Sequence, residues 1–130
     1  MSDRSIVFDA IVSDDVMSSG CVAVVGVRGA VQLPCLSVYP VRAIMEDIAG
    51  TCDGLMELAL QSGRFSVVVN SRVLDPAFVQ GHNHFGGLST RELFYFMERL
   101  KLLRNWSGGS VVGFDDDPEL KMKLLELLRV

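Results

Sequence analysis

What the sequence lacks narrows it first. No apolar run reaches the roughly 18 residues a membrane-spanning helix needs, although 49% of the 130 residues are hydrophobic. No Lys/Arg cluster occurs and the net charge is −4, which argues against a nucleic-acid partner. The three cysteines, Cys21, Cys35 and Cys52, are odd in number and widely spaced, with no Cys-x-x-Cys pair. A zinc knuckle or redox motif is therefore not supported, and small buried hydrophobes in a reducing cytoplasm are expected. The opening MSDRSIVFD carries Asp3 and no small-residue cleavage site after an apolar run, so no signal peptide is expected. Neither Gly26-x-x-Gly29 nor Gly86-Gly87 has the spacing of a dinucleotide or Walker loop, and no Gly-x-Ser-x-Gly elbow exists. Internal repeats, low-complexity segments and linkers are also missing. The length suits a single domain, 1–130, whose folding buries roughly two-thirds of the unfolded chain's surface.

What is present is a set of short Val-rich runs alternating with helical patterns. Ser5–Ile11, Cys21–Val27, Arg64–Asn70 and Ser110–Phe114 read as strands, with Gln32–Val38 a weaker edge candidate broken by Pro34. Their continuous apolar character predicts a sheet covered on both faces, as parallel sheets are. A first helix is expected over Val41–Gln61, with Ile44, Met45, Ile48, Cys52, Leu55, Met56 and Ala59 on one stripe. Gly50 and Gly54 interrupt it, either breaking it or letting it sit close to the sheet, and Gly63 closes it. A second helix, Thr90–Arg104, opens on a capping box of Ser89 and Glu92. A third starts at Asp117-Pro118, with Leu120, Leu124, Leu127 and Leu128 inward. The fold class is α/β, a three-layer α/β/α sandwich with a mainly parallel sheet.

The segment VVVNSRVLDPAFVQGHNHFGGLSTRELFY, from Val67 to Tyr95, carries Leu74, Asp75, Pro76 and Phe78, then Gly86, Gly87, Leu88, Ser89, Arg91 and Glu92. It resembles the part of arginase-type ureohydrolases in which an Asp-x-Asp strand runs into Leu-Asp-Pro-x-Phe and then into Gly-Gly-Leu-Ser/Thr-x-Arg-Glu. Val7 to Ser13 is similar to the family's strand ending in Asp-Ala-His-x-Asp. Val24 to Arg28 resembles its Gly-Ile-Arg strand end, Met45 to Ile48 sits where it has a helix, and Val111 to Asp115 resembles its last core strand. The matches keep the family's order and correspond to the second half of a full-length member, without its Gly-Gly-Asp-His segment. The resemblance implies a minimal arginase-like fold.

It also implies a chemistry that this chain does not carry. The family holds two manganese ions, which activate a bridging water. Carried over position by position, Asp9 is the only metal ligand kept. Ile11 stands where the family has histidine, and Ser13, Asn70 and Arg72 stand where it has aspartate. The family's guanidinium-binding Glu-x-Asn-Pro is replaced by the shorter Asp115-Asp116-Asp117-Pro118. One carboxylate cannot hold two divalent ions, and an arginine cannot become a ligand. Two like charges 4 Å apart repel by about 4 kcal/mol at an effective dielectric of 20. Arg72, on a neighbouring strand end, is instead expected to pair with Asp9 in the old metal position.

Other residues leave alternatives open. His82 and His84 are the chain's two histidines; with Asp75 or Asp115 they could build a new manganese or zinc site, or they could staple a loop. Asp115, Asp116 and Asp117 could hold magnesium, although Asp117 reads as a helix cap. Arg91 and Glu92 match a family pair near subunit contacts, and Trp106, in a loop, could anchor an interface or pack over a helix end. The resulting expectation is a catalytically inactive, cofactor-free ureohydrolase-like protein in the cytoplasm. It would serve as an assembly or regulatory subunit, either a homo-oligomer or a hetero-oligomer with a full-length ureohydrolase. A binding module for a small anionic metabolite, with Arg28 and Arg72 as its cations, is the alternative. A C–N (amidine) hydrolase with a rebuilt metal site at His82 and His84 is a third.

Overall fold

A computed structural model describes residues 4–12, 20–29 and 36–129. Five strands form one wholly parallel sheet: β1 (Arg4–Phe8), β2 (Cys21–Val27), β3 (Ser37–Pro40), β4 (Phe65–Asn70) and β5 (Trp106–Val112), in the order β3-β2-β1-β4-β5. The helices among the described residues are α1 (Val41–Glu46), α2 (Ile48–Gln61), α3 (Thr90–Leu100) and α4 (Pro118–Leu127). None of them is long and apolar enough to cross a membrane.

The continuous apolar runs follow from burial on both faces of the sheet. Ile6, Phe8, Ala23, Val25, Val67 and Val69 join the larger core, into which every described helix inserts: Ile44 from α1, Leu55 from α2, Phe96 from α3 and Leu124 from α4. Phe8 meets Phe96 edge-on, with ring centroids 5.7 Å apart. Val7, Val24 and Val27 form a smaller cluster on the opposite face. Val12, Leu36, Val38 and Val68 pack against that cluster. Ser13, Cys35 and most of the expected strand Gln32–Val38 lie outside the described residues.

Several boundaries differ from the sequence reading, each for a local reason. β1 stops at Phe8 because Asp9 accepts hydrogen bonds from the next two backbone N–H groups and turns the chain. The expected long helix is two, divided at Asp47, which lies outside the helical region (φ −159°, ψ 84°) and caps α2 by accepting from the Gly50 N–H at 3.0 Å. Gly50 makes that cap possible, since a Cβ there would overlap the Asp47 carboxylate. Gly54 has open space around it, so no close approach explains it. Met45 falls off the buried stripe and is 74% exposed. α3 ends at Leu100, four residues early, while its capping box is formed as expected. β5 starts at Trp106, not at Ser110. Gly108 and Gly109 lie within it, and a Cβ on Gly109 would sit 2.7 Å from the Val67 carbonyl and 3.1 Å from Leu128.

Cys52 is buried and Cys21 partly so, and neither is in a disulfide. Burial pushes the Cys52 thiol up to about 11, against a weaker opposing pull from Arg99, which leaves it unreactive at neutral pH. Exposure separates two residues the helical stripe treats alike. Leu55→Ala should cost about 2–5 kcal/mol in urea unfolding, whereas Met45→Glu should stay within about 0.5 kcal/mol of the parent.

Candidate functional site

The carboxyl ends of β1, β2 and β4 converge on one buried acid. Asp9 follows the last residue of central β1 and is 3% exposed. Its Oδ1 accepts from the Ala10 N–H at 2.6 Å. On the neighbouring strand, Asn70 ends β4 and accepts the Arg72 backbone N–H on its side-chain oxygen at 3.1 Å, opening a 3₁₀ turn over Ser71–Val73. That turn sends the Arg72 side chain back across the sheet. Arg72 Nε donates to Asp9 Oδ1 at 2.6 Å and Nη2 donates to Oδ2 at 3.0 Å. The pair is bidentate, the geometry in which a guanidinium matches a carboxylate best. The hydrogen bond to Asp9 raises the Arg72 pKa above its ordinary value, against a smaller opposing effect of burial.

A second arginine, Arg28, lies just after β2 and is not free to meet an anion. Its Nε donates to the Phe85 carbonyl, Nη1 to those of Gly26 and Val73, and Nη2 to those of Arg72 (2.6 Å), His84 (2.9 Å) and Leu74. It thus clamps the end of β2, the 3₁₀ turn and the loop before α3. Burial lowers its pKa, opposed by the charges of Asp75 and Asp9. Gly87 packs against it: a Cβ there would overlap the guanidinium and lie 2.6 Å from the Val73 carbonyl. The Gly26 backbone (φ +97°) likewise sits where a side chain would overlap Val73.

The remaining candidates around this end are used locally. His82 Nδ1 accepts the His84 backbone N–H at 3.0 Å, so Nε2 carries the proton it donates to the Ser71 carbonyl at 2.9 Å. Both ring nitrogens are thereby occupied in stapling the loop, and the His84 ring lies with its centroid 5.4 Å from that of His82. Asp75 accepts from the N–H groups of Ala77, Gly86 and Gly87, bonds that, led by Ala77, hold its carboxyl below the ordinary range. Asp115 faces Lys121 at 3.4 Å, and Asp117 caps α4 while accepting the Gln80 N–H. Ile11 is exposed and Asn70 half-buried; Ser13 lies outside the described residues. Glu92 is taken up by its own helix cap and Arg91 is exposed. Trp106 is a strand residue, edge-on to Phe65, and not the loop residue expected.

These residues do not fit the two cations that the sequence resemblance implies. The Asp9 carboxylate is engaged by a guanidinium, and among the described residues no three His, Cys, Asp or Glu side chains are grouped to hold a metal ion. Sequence reasoning missed the clamp formed by Arg28. Its only trace in the sequence is an arginine after a buried strand and a Gly-Gly pair far along the chain.

The parallel sheet, its strand order and the helices packed on it define an arginase-like α/β fold. No protein-family model matches the sequence, and no curated protein does. Among solved structures, the chain superposes on a hypothetical agmatinase from Burkholderia thailandensis with a TM-score of 0.75 at 19% identity, covering 98% of this chain and 48% of that one. Proclavaminate amidino hydrolase from Streptomyces clavuligerus gives 0.73 at 20% identity, with 98% and 55% covered. Helicobacter pylori arginase gives 0.73 at 14% identity, with 98% and 62% covered. The chain therefore spans about half to three-fifths of the length of the structures it resembles.

Arg72→Ala should destabilise the protein by about 3–5 kcal/mol, because it orphans a buried charge. The Asp9→Asn/Arg72→Ala double variant should recover a large part of that loss in chemical unfolding. An equal loss in the two variants would mean that packing of Arg72, and not its charge, matters. A carboxyl held below its ordinary value stabilises the fold fully above that value and loses the contribution as pH falls through the folded value. Melting curves should accordingly show the Asp75→Asn variant losing less stability than the parent below about pH 4.

Proposed function

We propose that this chain is a non-catalytic ureohydrolase-like protein, in which an internal ion pair takes the position of the family's metal. Its role is that of an assembly or regulatory subunit that self-associates or pairs with a full-length ureohydrolase. The observation that carries this reading is the bidentate Asp9–Arg72 pair, with the turn that Asn70 caps behind it. Two of the four substitutions away from the ligand set contribute to the replacement: Asn70 positions the turn and Arg72 supplies the charge. An anionic-metabolite site would need Arg28 and Arg72 free, and both are spent within the protein. A rebuilt hydrolase at His82 and His84 would need a further ligand beside an imidazole that is already hydrogen-bonded at both nitrogens.

Two measurements test this together. Soaked in Mn²⁺ and given arginine, agmatine or formiminoglutamate, the protein should release no urea or formamide and retain less than one ion per chain. In light scattering after gel filtration, alone and mixed with a full-length agmatinase, it should run as a defined oligomer or co-elute with the enzyme. Turnover, or a monomer that ignores the enzyme, would reject the proposal.

A further inference from the structure

A cleft lies at the opposite, amino-terminal end of the sheet, remote from the Asp9 site. It has a volume of about 470 Å³ and is bounded by Leu60, Arg64, Arg104, Asn105 and Trp106. The strand starts of β1, β4 and β5 stand side by side there: the Arg4 N–H donates to the Arg64 carbonyl at 3.2 Å and the Phe65 N–H to the Asn105 carbonyl at 3.1 Å. Each of the three starts carries an arginine, Arg4, Arg64 or Arg104. Among the described residues none of these is in a salt bridge. The chain as a whole is acidic, at −4, and Asp9, Asp75 and Asp115 lie toward the other end of the sheet. Arg64 and Arg104 both line the cleft, and like charges brought together are stabilised by an anion between them.

The rest of the cleft is built and apolar on one side. The Trp106 indole is fixed by its Nε1–H, which donates to the Arg129 carbonyl at 3.3 Å, and by edge-on contact with Phe65 at 5.8 Å. It remains half-buried, beside the exposed Leu60. Asn105 spends both side-chain N–H bonds on the Ala59 and Gly63 carbonyls, holding the end of α2 to the start of β5. Its buried Oδ1 has no partner among the described residues. Guanidinium groups and an indole lining one cleft suit a ligand that is an oxyanion at one end and flat and apolar at the other.

We propose that this cleft binds a small organic oxyanion, a phosphate ester or carboxylate joined to a flat apolar body, with the oxyanion between Arg64 and Arg104 and the body against Trp106. The inference does not depend on the Asp9 site or on the proposed function. Trp106 is the only tryptophan, so its emission reports the cleft directly. Titration of the full chain with phenyl phosphate or phenylacetate should give a saturable change in that emission, and which of the two binds tighter identifies the preferred oxyanion. Inorganic phosphate should compete with the tighter binder, and benzyl alcohol at the same concentrations should give no saturable change. Arg64→Gln/Arg104→Gln should weaken binding at least tenfold, each single variant should weaken it several-fold, and Arg42→Gln, remote on α1, should leave it unchanged. Absence of a saturable signal with either anion would overturn the proposal. Equal affinity in the double variant, with its circular dichroism intact, would do the same.

Discussion

A carboxylate buried at the end of the central strand must find a counter-charge, and the carboxyl end of this sheet is arranged around that need. Asp9 is nearly inaccessible, and stripping water from an ionised carboxylate costs several kcal/mol unless a partner and hydrogen bonds replace it. Arg72 supplies both through two parallel bonds, and the backbone N–H of Ala10 supplies another. Because the two residues come from adjacent strands, the pair also fixes how β4 leaves the sheet, through the turn that Asn70 caps.

The same end is closed over by its own loop. Between Leu74 and Leu88, which bridge to each other, the chain is held from three sides: Asp75 takes the N–H groups of Gly86 and Gly87, Arg28 takes the carbonyls of His84 and Phe85, and His82 reaches the Ser71 carbonyl. A guanidinium surrounded by backbone carbonyls is well suited to this, since it presents several donors in a rigid plane. The glycines at 26 and 87 leave the space that the clamp and the turn occupy.

Likeness to arginase, agmatinase and amidino hydrolase structures at 14–20% identity establishes a shared fold and no more. The packing of the sheet and its helices rests on apolar side chains at the right period. At the strand ends, polar side chains of this chain form cross-strand hydrogen bonds.

The strands at Cys21–Val27 and in the segment after Arg64, the capping box at Ser89 and Glu92, and the Asp117-Pro118 helix start were all legible in the sequence, because each is set by local periodicity or by groups three residues apart. The Asp9–Arg72 pair was legible too, once the resemblance placed the two residues on neighbouring strand ends. Tertiary structure alone decided the rest. The early start of β5 needed Gly109 to pass beside Val67 and Leu128. Arg28 became a clamp because carbonyls from residues 26, 72 to 74 and 84 to 85 meet at one point in space. Periodicity records which face of an element is buried; it does not record which distant backbone groups will lie within 3 Å of a side chain's donors.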